Sequence, residues 1–353
     1  MIEREQIERS TATNLPDLLR QVPGVQVRQL FGIGGSEATV DLGAFGPNAG
    51  QNTLILIDGQ RQNDIDLSAA DIGSLSLDNI ERIEVLPGSG GVLYGAGAVG
   101  GTINIVTRNL SRNATSVKLA GGSFNTSEAR LLHHFAGEQG RKGQLFVNHL
   151  DSEGYRDNSQ IRRLEAGAKL SQSLAGGSEV YGSLLASRQD SGLPGVRRVT
   201  PVSNQLHDDP RGASSLTDHA DTERAQALAG WRLPLSPAST LVLEGGHRQK
   251  QQKALVFSFV DSELGTTFLS PRLENRHQLG KVNGNLTAGL DLGYSDYNSD
   301  RKAAESAGTI HRRDVSSRSQ SVYAYEHLAW QQRQLPLGAR LAGPADLEAA
   351  APE

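Results

Sequence analysis

The chain has 353 residues with 40 Gly and no Cys, a formal net charge of −4, and 37% hydrophobic but only 5% aromatic residues. The missing cysteines exclude disulfide frameworks, Cys-ligated zinc and a cysteine nucleophile, and the near-neutral charge provides no field for nucleic acid. No apolar run reaches the ~18 residues of a transmembrane helix, and Met1–Glu5 does not read as a signal peptide; neither excludes a membrane β-barrel, whose strands are apolar on one side only.

The text divides near residue 108. Up to that point it reads as a compact α+β unit. Leu15, Leu18 and Leu19 are spaced for a helix, with Asn14 as N-cap, Pro16 in the first turn and Asp17 at the positive end. Pro23-Gly24 stops it, and Val25 and Val27 begin a strand. Leu54-Ile55-Leu56-Ile57 is a strand closed by the turn pair Asp58-Gly59. Ile80–Leu86 and the β-branched Thr102–Thr107 are two more.

From about residue 110, period-2 segments of ~10 residues recur between Gly, Asn, Asp and Ser clusters, roughly 10–12 of them. In residues 285–295, Leu286, Ala288, Leu290, Leu292 and Tyr294 share one face; Asn285, Thr287, Gly289, Asp291, Gly293 and Ser295 share the other. One apolar and one small-polar face suits a wall between lipid and a wet lumen, although a β-sandwich with one solvated face has the same alternation. Residues 190–222, with Pro194, Pro201, Pro210, His207, Asp208 and Asp209, read as a long polar loop.

Chemistry-bearing motifs are sparse. Gly95-Ala96-Gly97-Ala98-Val99-Gly100 fits G-x-G-x-x-G, but a strand follows where a dinucleotide site needs a helix, and no acid appears until Glu128. The glycines suit close backbone packing instead. His133 and His134 are adjacent, so on a strand they point to opposite sides and cannot share a metal. His207, Asp208 and Asp209 read as a solvated loop. No nucleophile elbow, H-E-x-x-H or Walker loop is present, and no catalytic constellation emerges.

Residues Asn52 to Arg108, NTLILIDGQRQND followed by LDNIERIEVLPGSGGVLYGAGAVGGTINIVTR, resemble the plug domain of TonB-dependent outer-membrane receptors, and NLPDLLRQVPGVQV (Asn14 to Val27) matches the plug's opening helix and strand. The resemblance implies an α+β plug domain over 1–108, followed over 109–353 by antiparallel strands of the N-terminal part of a transmembrane β-barrel. It implies residence in the outer membrane of a Gram-negative bacterium and no covalent chemistry, hence no catalytic residue, metal or cofactor. It implies a large scarce cargo (ferric siderophore, cobalamin or haem), bound at the extracellular face and released to the periplasm by plug remodelling. The implied partners are the TonB-ExbB-ExbD complex, outer-membrane lipid and the cargo, but no nucleic acid. The other readings are a soluble β-rich ligand- or carbohydrate-binding protein and, on GAGAVGG alone, a nicotinamide enzyme.

By motif position the resemblance places the plug apices at Gly46–Gln51 and Gln62–Leu67, with Asn48, Gln51, Asn63 and Asp64 facing ligand. Glu81, Arg82 and Glu84, on IERIEVLPGSG, are expected to fix the plug within the barrel. Two departures stand out: Gly43-Ala44 and Pro87-Gly88 occupy places where the family commonly has Arg-Gly. Closure is a further expectation. Strands ~4.8 Å apart and tilted ~40° give a backbone diameter of roughly 44 Å for 22 strands and 24 Å for twelve, whereas a ~108-residue plug is roughly 33 Å across. Residues 109–353 supply about half the strands required, so the chain reads as an N-terminal fragment or truncated form, with 331–353 as a candidate non-native tail.

Overall fold

A computed structural model describes residues 1–29, 38–66, 68–73, 75–88, 90–95, 97–108, 112–331, 333–343 and 346–349. Leu67 of the second apex turn, Ala96 of the glycine motif and Ala350–Glu353 of the tail lie outside the described residues.

The N-terminal unit opens with β1 (Ile2–Glu3), α1 (Arg4–Arg9) and α2 (Leu15–Leu19). Asn14 caps α2 by accepting from the Asp17 amide at 2.9 Å, and Leu15, Leu18 and Leu19 point into the core. β2 (Val25–Gln29) pairs antiparallel with β3 (Ala38–Leu42). The short α3 (Ala49–Asn52) leads into β4 (Thr53–Ile57), whose hairpin partner is β5 (Gln60–Arg61). Asp58 and Gly59 take φ of 50° and 82°, the left-handed pair of a type I′ turn. β6 (Ile80–Pro87), α4 (Gly91–Tyr94) and β7 (Gly101–Thr107) complete the unit. The sheet runs β1-β6-β7-β4-β5, with β4 and β7 parallel. Ile55, Ile80, Ile83, Ile103 and Ile105 pack from it onto α1, α2 and β3. At Gly100 a Cβ would stand 2.0 Å from the Leu42 carbonyl oxygen, so the glycine motif serves a close backbone crossing.

The second unit is one antiparallel sheet. Its strands are β8 (Ala114–Gly122), β9 (Thr126–Ala136), β10 (Lys142–Ser152), β11 (Ile161–Ser173) and β12 (Glu179–Gly192). A loop carries the hairpin β13 (Val199–Thr200) and β14 (Ser203–Asn204) and the turn α5 (Gln205–Asp208). β15 (His219–Pro234), β16 (Ser239–Val256), β17 (Ser258–Leu269), β18 (Arg272–Leu279), β19 (Val282–Lys302), β20 (Thr309–Trp330), β21 (Arg333–Ala342) and β22 (Asp346–Ala349) follow. Because β17 and β18 both bridge β16 to β19, and β21 and β22 both flank β20, the sheet is a wall eleven strands wide. It is not closed: among the described residues β8 pairs only with β9, and β21 only with β20. Pro336, which has no N–H to donate, sits in that outermost strand, where none is required.

Alternation sets the two faces. Leu145, Leu164, Leu184, Val322 and Leu341 are exposed on the outside, Leu184 at 63% and Leu341 at 80%. Arg130, Gln144, Glu165, Thr222 and Lys250 face inward and are buried or nearly so. On β19 the run Leu286 to Tyr294 lies in the outward phase, while Ser295 is buried. Connections at one rim are tight, around 137–141, 174–178, 235–238 and 280–281; at the other they include the long 193–218 loop. That loop is stapled: Arg156 donates to the carbonyls of Pro194, Gly195 and Gly212, and Asn158 to those of Leu193, Ser215 and Asp218. Phe135, Trp231 and Trp330 stand near the tight-turn ends, the position of an interfacial aromatic girdle.

Candidate functional site

The candidate site is the interface where the N-terminal unit meets the inner face of the wall. It is built mainly by the segment between β5 and β6, which runs across the wall carrying a series of acids. Asp64 pairs with Arg248 and lies 3.5 Å from Lys250 on β16. Asp66 lies 2.5 Å from the same Lys250, which also donates to Ser68. Asp71 bonds Arg224 of β15 at 2.7 Å. Asp78 meets Arg130 of β9 at 3.3 Å and Lys118 of β8 at 3.9 Å, and Asn79 accepts from Gln144 of β10 at 2.6 Å. Below this belt, Asp58 at the β4–β5 turn pairs with Lys169 of β11 and also accepts from the Thr107 amide at 2.8 Å. Gln60 donates to Glu244, which takes a second bond from Tyr181 at 2.5 Å.

This interface is polar and charged, with acids on the N-terminal unit and bases on the wall. Two strand residues two apart share a face, so Arg248 and Lys250 both turn inward, and Asp64 and Asp66 meet them in the same spacing. Lys250 has a side chain only 4% exposed; unpaired it would be a costly buried charge, and two carboxylates plus a hydroxyl compensate it. Burial pushes the Asp66 carboxyl up, but the charge of Lys250 and the bonds from Lys250 and Ser68 outweigh that and hold it below the usual carboxylate range.

Of the four residues expected to face ligand, the structure leaves two open and ties down two. Asn48 and Gln51 are exposed around α3. Asn63 is spent internally: its Oδ1 accepts from the Ile55 amide at 2.8 Å, and its Nδ2 donates to the carbonyls of Gly50 at 2.8 Å and Thr53 at 3.0 Å. Asp64 is held against the wall by Arg248. Glu81, Arg82 and Glu84 pair within the N-terminal unit: Arg82 with Glu84 at 2.8 Å, Glu84 with Asn104 at 2.9 Å, and Glu81 with Arg108 at 3.8 Å. The ion pairs that cross to the wall come instead from Asp58, Asp64, Asp66, Asp71 and Asp78. The sequence does hold a signal for their partners: a Lys or Arg inside an alternating strand, in the phase opposite the leucines, has to face the lumen.

The sequence profile of the family described as TonB-dependent Receptor Plug Domain matches residues 1–102. The vitamin B12 transporter BtuB of Vibrio vulnificus (strain CMCP6) is 36% identical over 161 residues, 44% of this chain and 25% of the transporter. BtuB of Photobacterium profundum is 33% identical over 122 residues, 35% of this chain and 19% of the relative. The matched stretch thus spans about a quarter or less of these relatives. Among solved structures, the ferric citrate transporter FecA in its unliganded form superposes with a TM-score of 0.83 at 16% identity, covering 99% of this chain and 58% of its own. The pyoverdine receptor FpvA of Pseudomonas aeruginosa PAO1, bound to pyoverdine, gives 0.82 at 15% identity, with 99% and 58% covered. These likenesses establish the fold of the wall as well as of the plug. Residues 1–102 thus match the plug domain of TonB-dependent receptors, and the fold of the whole chain is similar to that plug together with part of the β-barrel.

Proposed function

We propose that this chain is the plug-bearing part of an outer-membrane receptor that takes up a large metal chelate (cobalamin, ferric siderophore or haem), with TonB-ExbB-ExbD supplying the work that displaces the plug. The division is plug over 1–108 and barrel from 109 onward. One observation carries the reading: a folded domain lies against the inner face of a wall whose outer face is apolar, joined to it by ion pairs and hydrogen bonds. An apolar seam would make the plug a permanent core; charged contacts that water can replace let it move without unfolding the wall. The outward leucines argue for lipid outside the wall and against a soluble β-rich binding protein. The plug-level identity to vitamin B12 transporters favours a corrinoid within the class.

Within this reading Asn48 and Gln51 face the ligand, while Asn63 and Asp64 hold the turn beneath them. Glu81, Arg82 and Glu84, paired within the plug, brace β6 against β7. Binding of cyanocobalamin, a ferric siderophore and haemin to the detergent-solubilised chain, followed by tryptophan fluorescence, tests the reading. The double variant N48A/Q51A is expected to weaken the preferred ligand about tenfold, about 1.4 kcal/mol, with unchanged thermal stability. Recovery of the folded chain in the aqueous fraction of cells, with no binding of any of the three, would overturn it.

A further inference from the structure

Two arginines from different units meet at the end of one short helix. Arg340, on wall strand β21, donates through Nη1 to the carbonyls of Val92 and Leu93, 3.4 Å to each. Arg61, on plug strand β5, donates through Nη2 to the Tyr94 carbonyl at 3.2 Å. The last three carbonyls of α4 are therefore held by guanidinium groups, one set from the wall and one from the plug. Gly95 makes room: a Cβ there would lie 3.1 Å from Arg340 Cζ. Arg340 is fixed by Asp291 at 2.6 Å and by the Tyr323 ring, 5.2 Å from its centroid. Arg248 joins the group by donating to the Arg61 carbonyl at 2.6 Å while pairing with Asp64. Three guanidinium groups thus converge around one turn.

The bonds to α4 are long. N–H donors usually sit ~2.9–3.0 Å from their acceptors, whereas a guanidinium holds a carboxylate or phosphate at ~2.7–2.9 Å, often through two parallel bonds. Arg61 and Arg340 accordingly hold α4 through weak contacts that a carboxylate or phosphate would outcompete. Arg61 is accessible within the lumen, and enclosure by the wall together with the neighbouring Arg248 and Arg340 holds its guanidinium down at about 10. An anion entering this group offsets both the burial and the repulsion.

We propose that Arg61 and Arg340 form an oxyanion-responsive latch on α4: a carboxylate or phosphate group entering the lumen takes their donors from the Val92, Leu93 and Tyr94 carbonyls and frees the turn. The latch rests on the receptor reading only for the origin of the anion, an acidic group on the cargo or free phosphate. Its test needs no transport.

Hydrogen exchange of the Tyr94 and Gly95 amides, which bond the carbonyls of Gly90 and Gly91 at 3.1 and 3.0 Å, reports the turn directly. The full chain in detergent is titrated with inorganic phosphate in one arm and with a carboxylate chelate of iron in the other, ionic strength being matched with potassium chloride. Exchange at both amides is expected to rise at least fivefold on saturation with one of the two anions. A response at micromolar chelate identifies the cargo as the source; a response only at millimolar phosphate identifies the free ion. R340Q is expected to exchange fast without any anion and to be indifferent to either; R340K, which keeps the charge but loses the fork, is expected to fall between and guards against misfolding of the first variant. Exchange unchanged by both anions, or raised equally by chloride alone, overturns the latch. Whether the chain binds or imports a nutrient is read separately, so the two proposals fail independently.

Discussion

Asn63 shows how a polar residue at a turn can be structural. All three of its bonds go to backbone groups of Gly50, Thr53 and Ile55, so it fastens the segment after β5 to the start of β4. Asn63→Ala leaves a buried amide and two carbonyls without partners. It is expected to lower stability by about 2–3 kcal/mol, read as a drop in Tm and faster exchange at the Ile55 amide. Asp66 gives a pH dependence. Its folded pKa lies below the unfolded value of ~3.9, so its contribution is fully present above that value and is lost as pH falls through the depressed folded one. Limited proteolysis of the full chain at pH 6, 4 and 3 should show cleavage around residues 62–68 appearing only in the most acidic sample. Cleavage that already appears at pH 6 would remove Asp66–Lys250 as the fastening.

At the scale of elements, each wall strand has two environments one residue apart. Leu290 and Thr287 are both on β19, but Leu290 lies in the outward phase and Thr287 in the inward one. Leu290→Lys places a charge against lipid near the middle of a strand and is expected to cost about 2–4 kcal/mol, whereas Thr287→Lys costs little because the lumen is wet. The yield of heat-modifiable, folded protein in lipid vesicles separates them; equal yields would mean that the outer face does not meet lipid. The alternation in residues 285–295 made this pattern legible in the sequence, and α2 with its Asn14 cap, the Asp58-Gly59 turn and β4, β6 and β7 were legible for similar reasons: each is set by spacing over a few residues. Which inward residue meets which plug acid was not legible. That depends on where the β5–β6 segment crosses the wall, and the partners lie far apart in sequence: Asp71 and Arg224 are separated by 153 positions.

At the scale of the molecule, two units that fold by different rules are joined by charge. The plug has an apolar core of its own, whereas the wall places most of its apolar side chains outward and meets the plug with polar ones. The belt is therefore where ionic strength acts selectively. Raising salt to ~1 M shrinks the Debye length to ~3 Å, which screens exposed pairs such as Arg312–Asp300 but reaches the enclosed Lys250 cluster far less. Exchange protection across residues 62–66 is expected to stay within about twofold between ~0.05 and ~1 M salt, while K250M loses it at both. A large salt effect in the unaltered chain would place the belt in bulk solvent.

The sequence by itself determined the capped helix, the Asp58-Gly59 turn and the strands of the N-terminal unit, and the alternation of the wall, because local spacing, turn chemistry and residue type carry that information. Only the tertiary structure decided that Asn63 and Asp64 are tied down while Asn48 and Gln51 stay open, that Glu81, Arg82 and Glu84 pair within the plug, and that a belt of acids holds plug to wall. The physical reason is that a charged side chain states its own cost of burial, whereas its partner is chosen by the path of the chain through space.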